Sequence, residues 1–551
     1  MKTVAVIGAA AGTTGLLQSC ATSDSEQGEV LLFTNGTIYI DAFRKAKSLA
    51  VKNGRVIGYN IDTKAIKGKT IDLNGSVVYP GFHDCHNHLI EVAVTLSNPL
   101  NLKGCNDSDS IAVKLKELAD KTPDGNTILG IGFSLADYDA WSLNDLAKID
   151  KAGGNHPVLI MDNLGHNAIA NSIVIKMAGI TPSTPVPLAG KIVIQDGQVT
   201  GMLKESAMIL VGEKVLSLFS DEDIMEGVLK LMQLWASFGY TSISDMMGTA
   251  MGRLMRPNIF KKLEALGKLP VRVNYGYTLF NLDEVDGALQ YVGTDSEMVR
   301  FFGYKLYVDG AFGAGQAWTT WKNLQGNNGT YYVYIDDSYG RQYNLNRIIE
   351  RIDDLGLNIH YHVQGDRAID AIINAMDRVL KQKGKLNTVH NFNHLGFPRA
   401  DQIEKMKGFG KNVVVIMQPA LAVIEADSTR YYGERMKDAY PIKKIIDAGI
   451  STGISTDFSV SPLSLCPVLV LMKTSMKSET NPLTMSQLIT GLTKGSALTT
   501  TYTDTGSLDV GNWADMVVFN EDLYDVPVDK LNDSSTVKIL STWVGGKKSF
   551  G

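Results

Sequence analysis

The pattern of apolar and polar residues is of one kind at both ends of the chain and of another kind in between. Residues 30–80 contain short alternating runs, LLFTNGTIYI, SLAVKNGRVIGYN and TIDLNGSVVYPGF, which are broken by Asn-Gly turns. Alternation with a period of two is typical of strands that bury one face, and Asn-Gly suits tight antiparallel hairpins. These residues are therefore predicted to form a small antiparallel β unit. A similar pattern returns in residues 505–551, in GSLDVGNWADMVVFN and VKILSTWVGG. We therefore predict that the two chain ends together form one small β-sandwich domain.

Residues 81–504 show apolar strands that alternate with amphipathic helices. The segment LNRIIERIDDLG has helical spacing of its apolar residues, LNIHYHV follows as a strand, and DRAIDAIINAMDRVL follows as a second helix. The alternation continues to STGISTD and favours parallel strands. We predict an α/β fold, a closed (β/α)8 TIM barrel. Residues at about 100–210 are long for one connection, so we expect them to form an insertion over the barrel mouth.

The composition restricts the class of partner. The chain has 551 residues, with 53 Lys and Arg against 58 Asp and Glu, and a formal charge of −5. Because phosphate binding needs a basic surface, and no long basic run is present, the sequence argues against nucleic acid as a partner. A small-molecule substrate is favoured. The sequence leaves the oligomeric state open.

The first segment is interpreted as a targeting signal. Residues 1–20, MKTVAVIGAAAGTTGLLQSC, have a lysine near the start and an apolar stretch too short to span a bilayer. Their end, LQSC, resembles a bacterial lipoprotein cleavage box, in which Cys20 becomes the lipidated first residue. The polar residues 21–29 would then form a tether. We expect an exported protein that is held on the bacterial cell envelope, at its periplasmic or surface side, by a lipid on Cys20 alone.

The segment VVYPGFHDCHNHL carries the clearest chemical signal. His86 and His88 are two residues apart at the end of a strand, so period-2 geometry puts both imidazoles on one face, where they can bind the same ion. The same alternation directs Cys85 away from that face. A bare pair of this kind is also compatible with two polar loop histidines. The four cysteines show neither a CxxC pair nor a regular spacing, so neither a disulfide framework nor a zinc knuckle is indicated.

The motifs along the chain resemble those of the amidohydrolase superfamily, and within it the amidohydrolase 3 subfamily that includes N-substituted formamide deformylases. PGFHDCHNH is similar to the PGFxDxHxH signature of these metal-dependent hydrolases, which are built on a (β/α)8 barrel. The resemblance extends from residue 30 to 551. The further matching motifs, in chain order, are GHNAIANS at 165–172, GYKLYVDGAFG at 303–313, HVQGDRA at 362–368, HNFNH at 390–394, STDFSV at 455–460 and GSLDVGNWADMVVF at 506–519.

The resemblance implies a metal centre. It implies that two divalent ions, with zinc as the favoured metal, are bridged by a carbamate formed on Lys305. The implied ligands are His86, His88, Lys305, His362, His394 and Asp457. His360 and His390 precede the motif histidines on their strands and are interpreted as core or supporting residues.

Each of these assignments has a structural alternative that the sequence leaves open. Lys305 could be a surface lysine that extends its amine to water. His362 and His394 could be satisfied structural histidines. Asp457, at the end of the last barrel strand, could bind metal and shuttle a proton, or could be an aspartate that caps a helix or lies in a turn. His166 lies in the family's substrate region, where a neutral imidazole could hydrogen-bond a tetrahedral oxyanion, but it could equally be a loop histidine.

Three hypotheses for function follow. The first is metal-dependent hydrolysis of a non-peptide C-N bond, in an amide or an N-acyl or N-formyl amine, with Asp457 and His166 as the catalytic residues. The second is a mononuclear aminohydrolase that deaminates a heterocycle. The third is a non-catalytic surface binding protein on the same scaffold. Gln364, Asn393 and the Thr456-to-Phe458 segment depart from the family pattern at or beside the pocket, so the family's substrate does not transfer directly.

Overall fold

The computed structural model describes residues 28–551, apart from 63–65, 98, 163–164, 250–251, 254 and 501. The predicted signal peptide, Cys20 and residues 21–27 of the predicted tether lie outside the described residues. Within the part that is described, no helix combines the length and the apolarity needed to cross a bilayer.

Eight strands form one sheet in which each strand is hydrogen-bonded to its neighbours in chain order, and all the pairs are parallel. This arrangement confirms the predicted α/β fold, a (β/α)8 TIM barrel. The strands are β1 (Phe82–Asn87), β2 (Tyr240–Asp245), β3 (Arg272–Leu279), β4 (Val299–Tyr307), β5 (Asn358–Val363), β6 (His390–His394), β7 (Val413–Met417) and β8 (Ser451–Ile454).

The residues that follow β8 close the barrel against β1. The backbone N–H of Asp457 donates to the carbonyl oxygen of His86 at 3.0 Å, and the N–H of His88 donates to that of Phe458 at 3.2 Å. Asn87 and Phe458 also form a parallel bridge. The two ends of the sheet therefore meet at the carboxyl ends of the strands, where catalytic groups gather in barrels of this type.

The helix before β5 shows how the amphipathic pattern forms the outer layer. Leu345–Leu355 buries one apolar stripe, the Asn344 side chain accepts from the N–H of Asn346 at its start, and Gly356 ends it with φ at 66°. The other α-helices among the described residues are Leu89–Ser97, Ser108–Ala119, Leu143–Gly153, Ser172–Met177, Ile209–Leu216, Asp221–Ser237, Pro257–Ala265, Asp366–Lys383, Ala400–Gly408, Leu421–Ile424, Thr429–Tyr432, Ile442–Asp447, Val468–Met476 and Met485–Thr490.

A β-sandwich contains strands from both chain ends. The first sheet has the order Arg55–Tyr59, Leu49–Lys52, Leu31–Thr34, Lys69–Asp72, and the second has the order Lys547–Phe550, Ile539–Val544, Met516–Phe519, Val77–Pro80, Thr37–Tyr39, Lys45–Ala46. Two pairings are parallel, Leu31–Thr34 with Lys69–Asp72 and Thr37–Tyr39 with Val77–Pro80, so the N-terminal unit is not wholly antiparallel as predicted. The cause is that chain segments longer than hairpin turns join these partners, so each strand can return in the same direction.

Residues 99–204 form a separate six-stranded sheet. Its order is Lys191–Gln195, Gln198–Lys204, Asn167–Ala170, Val158–Asp162, Ile128–Phe133, Pro99–Asn101. One face packs on the helices Ser108–Ala119 and Leu143–Gly153, and residues of the other face join the hydrophobic core of the barrel. This sheet brings the end of Val158–Asp162, and the residues that follow it, toward the barrel.

A buried ion pair joins the barrel to the sandwich. Arg272, at the start of β3, binds both carboxylate oxygens of Asp515 at 2.7 and 3.0 Å, and the side chains are 1% and 4% exposed. The guanidinium also stacks over Trp513, and the N–H of Gly545 donates to Asp515. Both oxygens of the carboxylate are therefore used in holding the two domains together.

We expect Asp515→Ala to destabilise the protein strongly, because it leaves the Arg272 guanidinium buried without its partner. The expected cost is about 3–5 kcal/mol in the free energy of unfolding, measured by urea denaturation. Asp286→Ala is the matched control, since it removes an ion pair to Arg351 whose side chains are 40% and 65% exposed. That change should cost less than about 1 kcal/mol. Equal losses in the free energy of unfolding for the two substitutions would contradict the larger stabilising contribution that we expect of the buried pair.

Candidate metal centre

Three of the predicted ligands form a compact group at the carboxyl end of the barrel. The ligand atoms of His86, His88 and Asp457 all lie within 4.8 Å of one another, and the three residues are buried. Asp457 Oδ1 is 3.5 Å from His86 Nε2 and 3.4 Å from His88 Nε2. Two imidazole nitrogens and a carboxylate oxygen around one point are a donor set that suits a divalent ion such as zinc.

The Asp457 carboxylate shows that this group fits a cation. Among the described residues, its Oδ1 has no hydrogen-bond partner, although the side chain is buried. Asp457 also has φ at 54°, in the left-handed region, and does not cap any described helix. An unpaired buried carboxylate oxygen is costly unless a cation compensates for its charge. The alternative role as a helix cap is therefore wrong, whereas the alternative of a turn position agrees with the structure, since the carbonyl oxygen of Asp457 accepts from the N–H groups of Val460 and Ser461.

Acceptor groups behind the imidazoles fix their orientation. The amide oxygen of Asn393 lies 2.6 Å from His86 Nδ1, and that of Gln418 lies 3.0 Å from His394 Nδ1. Because an amide oxygen can only accept, each Nδ1 must carry the proton, and each Nε2 then presents a lone pair. Glu91 Oε2 lies 3.8 Å from His88 Nδ1 on the far side of that ring from Asp457.

Lys305 lies beside the same group. Its side chain is fully buried, and Nζ is 3.4 Å from His86 Nε2. It therefore does not extend to the surface, and that alternative is wrong. Burial lowers the pKa of Lys305 to about 7, so a large fraction of the amine is uncharged near neutral pH.

His394 and His362 complete the arrangement on the other side. Their rings are 4.6 Å apart, and His394 Nδ1 is 3.7 Å from Asp457 Oδ2. By alternation from the inward Asn393, His394 should point outward, but its φ of 73° turns the side chain toward His86, with the ring centroids 5.0 Å apart. The structure thus brings all six predicted ligand residues into one cluster.

The other histidines and the cysteine that the sequence analysis considered lie outside the cluster of predicted ligands. His360 is bonded to the carbonyl oxygen of Thr499 at 2.9 Å, and His390 to the hydroxyl of Tyr361 at 2.8 Å. Cys85 contacts Ser496 at 3.2 Å, on the opposite side of β1 from His86. The three cysteines of the described chain are buried and free.

His166 takes part in a network that the sequence did not reveal. Its Nδ1 lies 2.8 Å from Glu205 Oε2, which also accepts from the hydroxyl of Tyr332 at 2.7 Å, and Gln316 donates to the other carboxylate oxygen. Tyr332 and Tyr307 line the same small cavity, and Tyr307 stacks on His362. The network of His166 and Glu205 therefore reaches the cavity beside His362. Glu205 was missed because it lies 39 residues from His166 in a short segment without a periodic signal.

Two cavities are lined by residues that contact predicted ligands. A small one of about 20 Å³ is lined by Tyr307 and Tyr332 together with Ser206, Ile209, Leu279 and Phe280, and Tyr307 stacks on His362. A larger one of about 580 Å³ is lined in part by Gln418 and Tyr440. Gln418 is also the residue that holds His394, so it separates this cavity from the ligands.

Comparison with known proteins gives distant relatives of similar length. The Arabidopsis thaliana protein LONG AFTER FAR-RED 3 is 25% identical, over 94% of this chain and 91% of its own length. The N-substituted formamide deformylase of Arthrobacter pascens is 23% identical, over 91% of this chain and 94% of its own. The crystal structure of an uncharacterized metal-dependent hydrolase from Pyrococcus horikoshii has a TM-score of 0.70 and 22% identity, and it covers 91% of this chain and 99% of its own. That likeness shows a shared fold.

The family assignment rests on a match across most of the chain. Residues 69–550 match the family model described as "Amidohydrolase family", of the amidohydrolase 3 type. This range includes all six predicted ligand residues and His166. The motifs that resembled this family in the sequence are thus confirmed, and the chain belongs to the amidohydrolase family of metal-dependent hydrolases.

Proposed function

We propose that this protein hydrolyses a non-peptide C-N bond, in an amide or an N-acyl or N-formyl amine, with two divalent ions, preferably zinc. The observation that carries the proposal is the buried Oδ1 of Asp457, which has no hydrogen-bond partner among the described residues and lies 3.5 Å from His86 Nε2 and 3.4 Å from His88 Nε2, with Lys305 adjacent. When bound, the ions would lower the pKa of a water molecule and polarise the substrate carbonyl. The formamide deformylase relative supports the bond type.

Lys305 would hold the two ions together as a carbamate. Its uncharged Nζ would attack the carbon of carbon dioxide, a new N–C bond would form, and one proton would leave for solvent. The product replaces an amine with two carboxylate-like oxygens, which suit a pair of divalent ions. Complete burial of Lys305 supports this proposal, because a lone ammonium at this depth would be costly.

Asp457 would move the proton in the reaction. Its carboxylate would accept a proton from the attacking water and return it to the nitrogen of the leaving amine. The carboxylate has two oxygens, so that one can face the ion while the other exchanges the proton, and the left-handed backbone at residue 457 directs Oδ1 between the two histidines. His166 would contact the substrate from the insertion.

The small cavity suggests how the acyl group of a substrate would lie. A space of about 20 Å³ beside Tyr307 has room for about one or two atoms, which fits the hydrogen or methyl of a formyl or acetyl group. We expect short acyl groups on varied amines to be the substrates.

The test is a substrate series on protein purified with zinc and bicarbonate. N-formyl, N-acetyl, N-propionyl and N-benzoyl derivatives of one arylamine would be assayed for the free amine and the carboxylate. We expect formyl and acetyl compounds to be cleaved and the larger acyl groups to be slow. Absence of any hydrolysis across the series, together with ammonia release from heterocyclic amines, would instead support a deaminase.

Asp457→Asn should abolish turnover while the protein still binds metal. We expect kcat to fall by about 10²–10⁴, since a general acid-base group contributes this much. Zinc content, measured by elemental analysis, should change little, because the amide oxygen can still act as a ligand. Asp286→Asn at the surface is the control and should leave kcat unchanged. Substantial turnover by Asp457→Asn would contradict the proposal that Asp457 transfers the proton.

Lys305→Ala should reduce zinc from about two ions per chain to one or fewer, because the bridging oxygens are lost. Activity should fall with it. Omitting bicarbonate during reconstitution should lower the zinc content of the wild type but not that of the variant. Full activity of Lys305→Ala would favour the mononuclear aminohydrolase, and failure of the wild type to bind any metal would favour a non-catalytic binding protein.

Gln418→Leu should weaken zinc binding about 10–100-fold, because His394 Nδ1 loses its acceptor. Competition with a chelator measures this affinity. Ser455→Ala is the control: it removes the hydroxyl that accepts from the Gln418 amide at 3.0 Å but leaves the acceptor of His394 in place. Unchanged affinity in Gln418→Leu would indicate that His394 does not bind the metal.

A further inference from the structure

The described chain enters the β-sandwich beside two exposed lysines. Lys69 pairs with Leu31 at the start of its strand, and the N–H of Lys69 donates to the carbonyl oxygen of Val30 at 2.8 Å. Gly68 packs against Val30, so Lys67, its neighbour in the chain, is close to the same point. Both lysine side chains are exposed. The residues that follow the predicted tether therefore arrive at a basic surface.

Two turns add further lysines to this surface. A Cβ at Gly546 would lie 3.0 Å from Val51 and 3.8 Å from Leu31, so the turn before Lys547 packs on the first sheet of the sandwich. Lys52 follows Val51 and is half-buried, while Lys547 is exposed. We call this surface the basic end of the sandwich, and its lysines are Lys52, Lys67, Lys69 and Lys547.

The lysines of the basic end form no ion pair among the described residues. By contrast, Lys45, at the opposite edge of the second sheet, is 3.2 Å from the carboxylate of Asp522. Glu29, next to Val30, and Glu297, whose carbonyl oxygen accepts from Arg272, are exposed acidic residues close to the basic end, and they offset only part of its charge. The surface therefore suits an anionic partner.

The predicted lipid on Cys20 would hold the basic end close to a bilayer. Gly28, where the described chain begins, packs on Asn53, the residue after Lys52. Only residues 21–27 separate Gly28 from Cys20. Even when fully extended, this connection spans at most about 29 Å, whereas a chain of this length folds into a body about 60 Å across. The protein therefore cannot turn freely above the membrane.

The basic end is joined to the end of the barrel that lies opposite the metal centre. Gly545, in the same turn as Gly546, packs on the guanidinium of Arg272, which begins β3. β3 has eight residues, so the carboxyl ends of the strands lie about 26 Å farther on. His86 and Asp457 are at that far end. With the basic end on a bilayer, the metal centre would face the solution.

We propose that the basic end binds the anionic headgroups of the bilayer that holds Cys20, and that this contact directs the carboxyl end of the barrel away from the membrane. The proposal goes beyond hydrolysis and takes the predicted lipid as the tether. Each lysine close to an anionic surface strengthens binding about 5-fold, and the attraction fades within about 10 Å at moderate salt. Together with a short tether, such a contact fixes an orientation. Substrates would reach the centre from solution and not from the bilayer.

Vesicle sedimentation tests the basic end without the lipid. The chain from residue 20 onward, with Cys20→Ser, would be mixed with vesicles of phosphatidylcholine alone or of phosphatidylcholine with phosphatidylglycerol. We expect binding to the anionic vesicles only, and its loss at high salt, because salt screens the attraction. Equal binding to both kinds of vesicle, or no binding to either, would overturn the proposal.

Two sets of substitutions with the same net charge locate the binding surface. Replacing the three exposed lysines of the basic end by glutamine should weaken vesicle binding about 100-fold, since each contributes about 5-fold. The control replaces three exposed lysines of the insertion, which also form no ion pair in the described chain, and should leave binding unchanged. The first set is Lys67→Gln, Lys69→Gln and Lys547→Gln, and the control set is Lys103→Gln, Lys121→Gln and Lys151→Gln.

Equal losses of vesicle binding in the two sets would show that net charge alone is responsible and would overturn the proposal. Binding of duplex DNA as tight as that of the anionic vesicles would overturn the assignment to a bilayer. Thermal unfolding of both sets checks that the substituted proteins are folded.

Energy transfer tests the orientation of the anchored protein. The lipidated protein would carry a donor dye at Lys176→Cys, an exposed position in the insertion at the carboxyl end of the barrel, and the vesicles would carry acceptor dyes on their headgroups. The three native cysteines of the described chain are buried, which protects them from labelling. We expect little transfer, and more transfer when the lysines of the basic end are replaced, because the barrel can then tilt toward the bilayer.

Strong transfer with the basic end intact, or no gain after its lysines are replaced, would overturn the proposed orientation. Absence of a lipid on Cys20 would overturn the tethered arrangement, and the vesicle assay would still decide whether the basic end binds headgroups. Neither measurement depends on hydrolysis, so a failure of the proposed function would leave both results standing.

Discussion

Four hydrogen-bond donors converge on the buried carboxylate of Asp84, and the geometry of the centre depends on them. The N–H and hydroxyl of Thr456 donate at 2.9 and 2.7 Å, Asn87 donates at 2.7 Å, and Trp235 at 2.8 Å. Asp84 lies on the first barrel strand and Thr456 beyond the last, so one side chain joins the two edges of the sheet. Because Thr456 immediately precedes Asp457, closing the barrel also places the carboxylate between His86 and His88.

The groups of the centre are held by other residues more than by their own strands. Amide oxygens orient the imidazoles of His86 and His394, and left-handed backbone turns His394 and Asp457 inward. The family motif residue Asp309 accepts three backbone N–H groups, from Trp318, Gln364 and Gly365, and so joins the loops after β4 and β5. Such preorganisation limits the movement that metal binding requires.

Sequence reasoning succeeded where a local pattern determines a local geometry. Period-2 alternation placed His86 and His88 together and Cys85 away from them, and the β/α alternation predicted the barrel. It failed where direction depends on backbone torsion or on distant contacts. Alternation gives the wrong side for His394, whose φ is 73°, and nothing in the segment around Glu205 indicates that it meets His166. Asn393 was noted only as a departure from the family pattern, although its oxygen lies 2.6 Å from His86 Nδ1.

The sandwich built from both chain ends has a consequence for biosynthesis. Val77–Pro80 pairs with Met516–Phe519, and Tyr79 donates to Asp522, which lies 443 residues later in the chain. At typical rates of translation, the early strands leave the ribosome on the order of tens of seconds before their partners. During that interval Val77–Pro80 lacks its partner Met516–Phe519, although the apolar residues of the N-terminal strands can already pack on one another. The sandwich is therefore completed only after the last strands have been made.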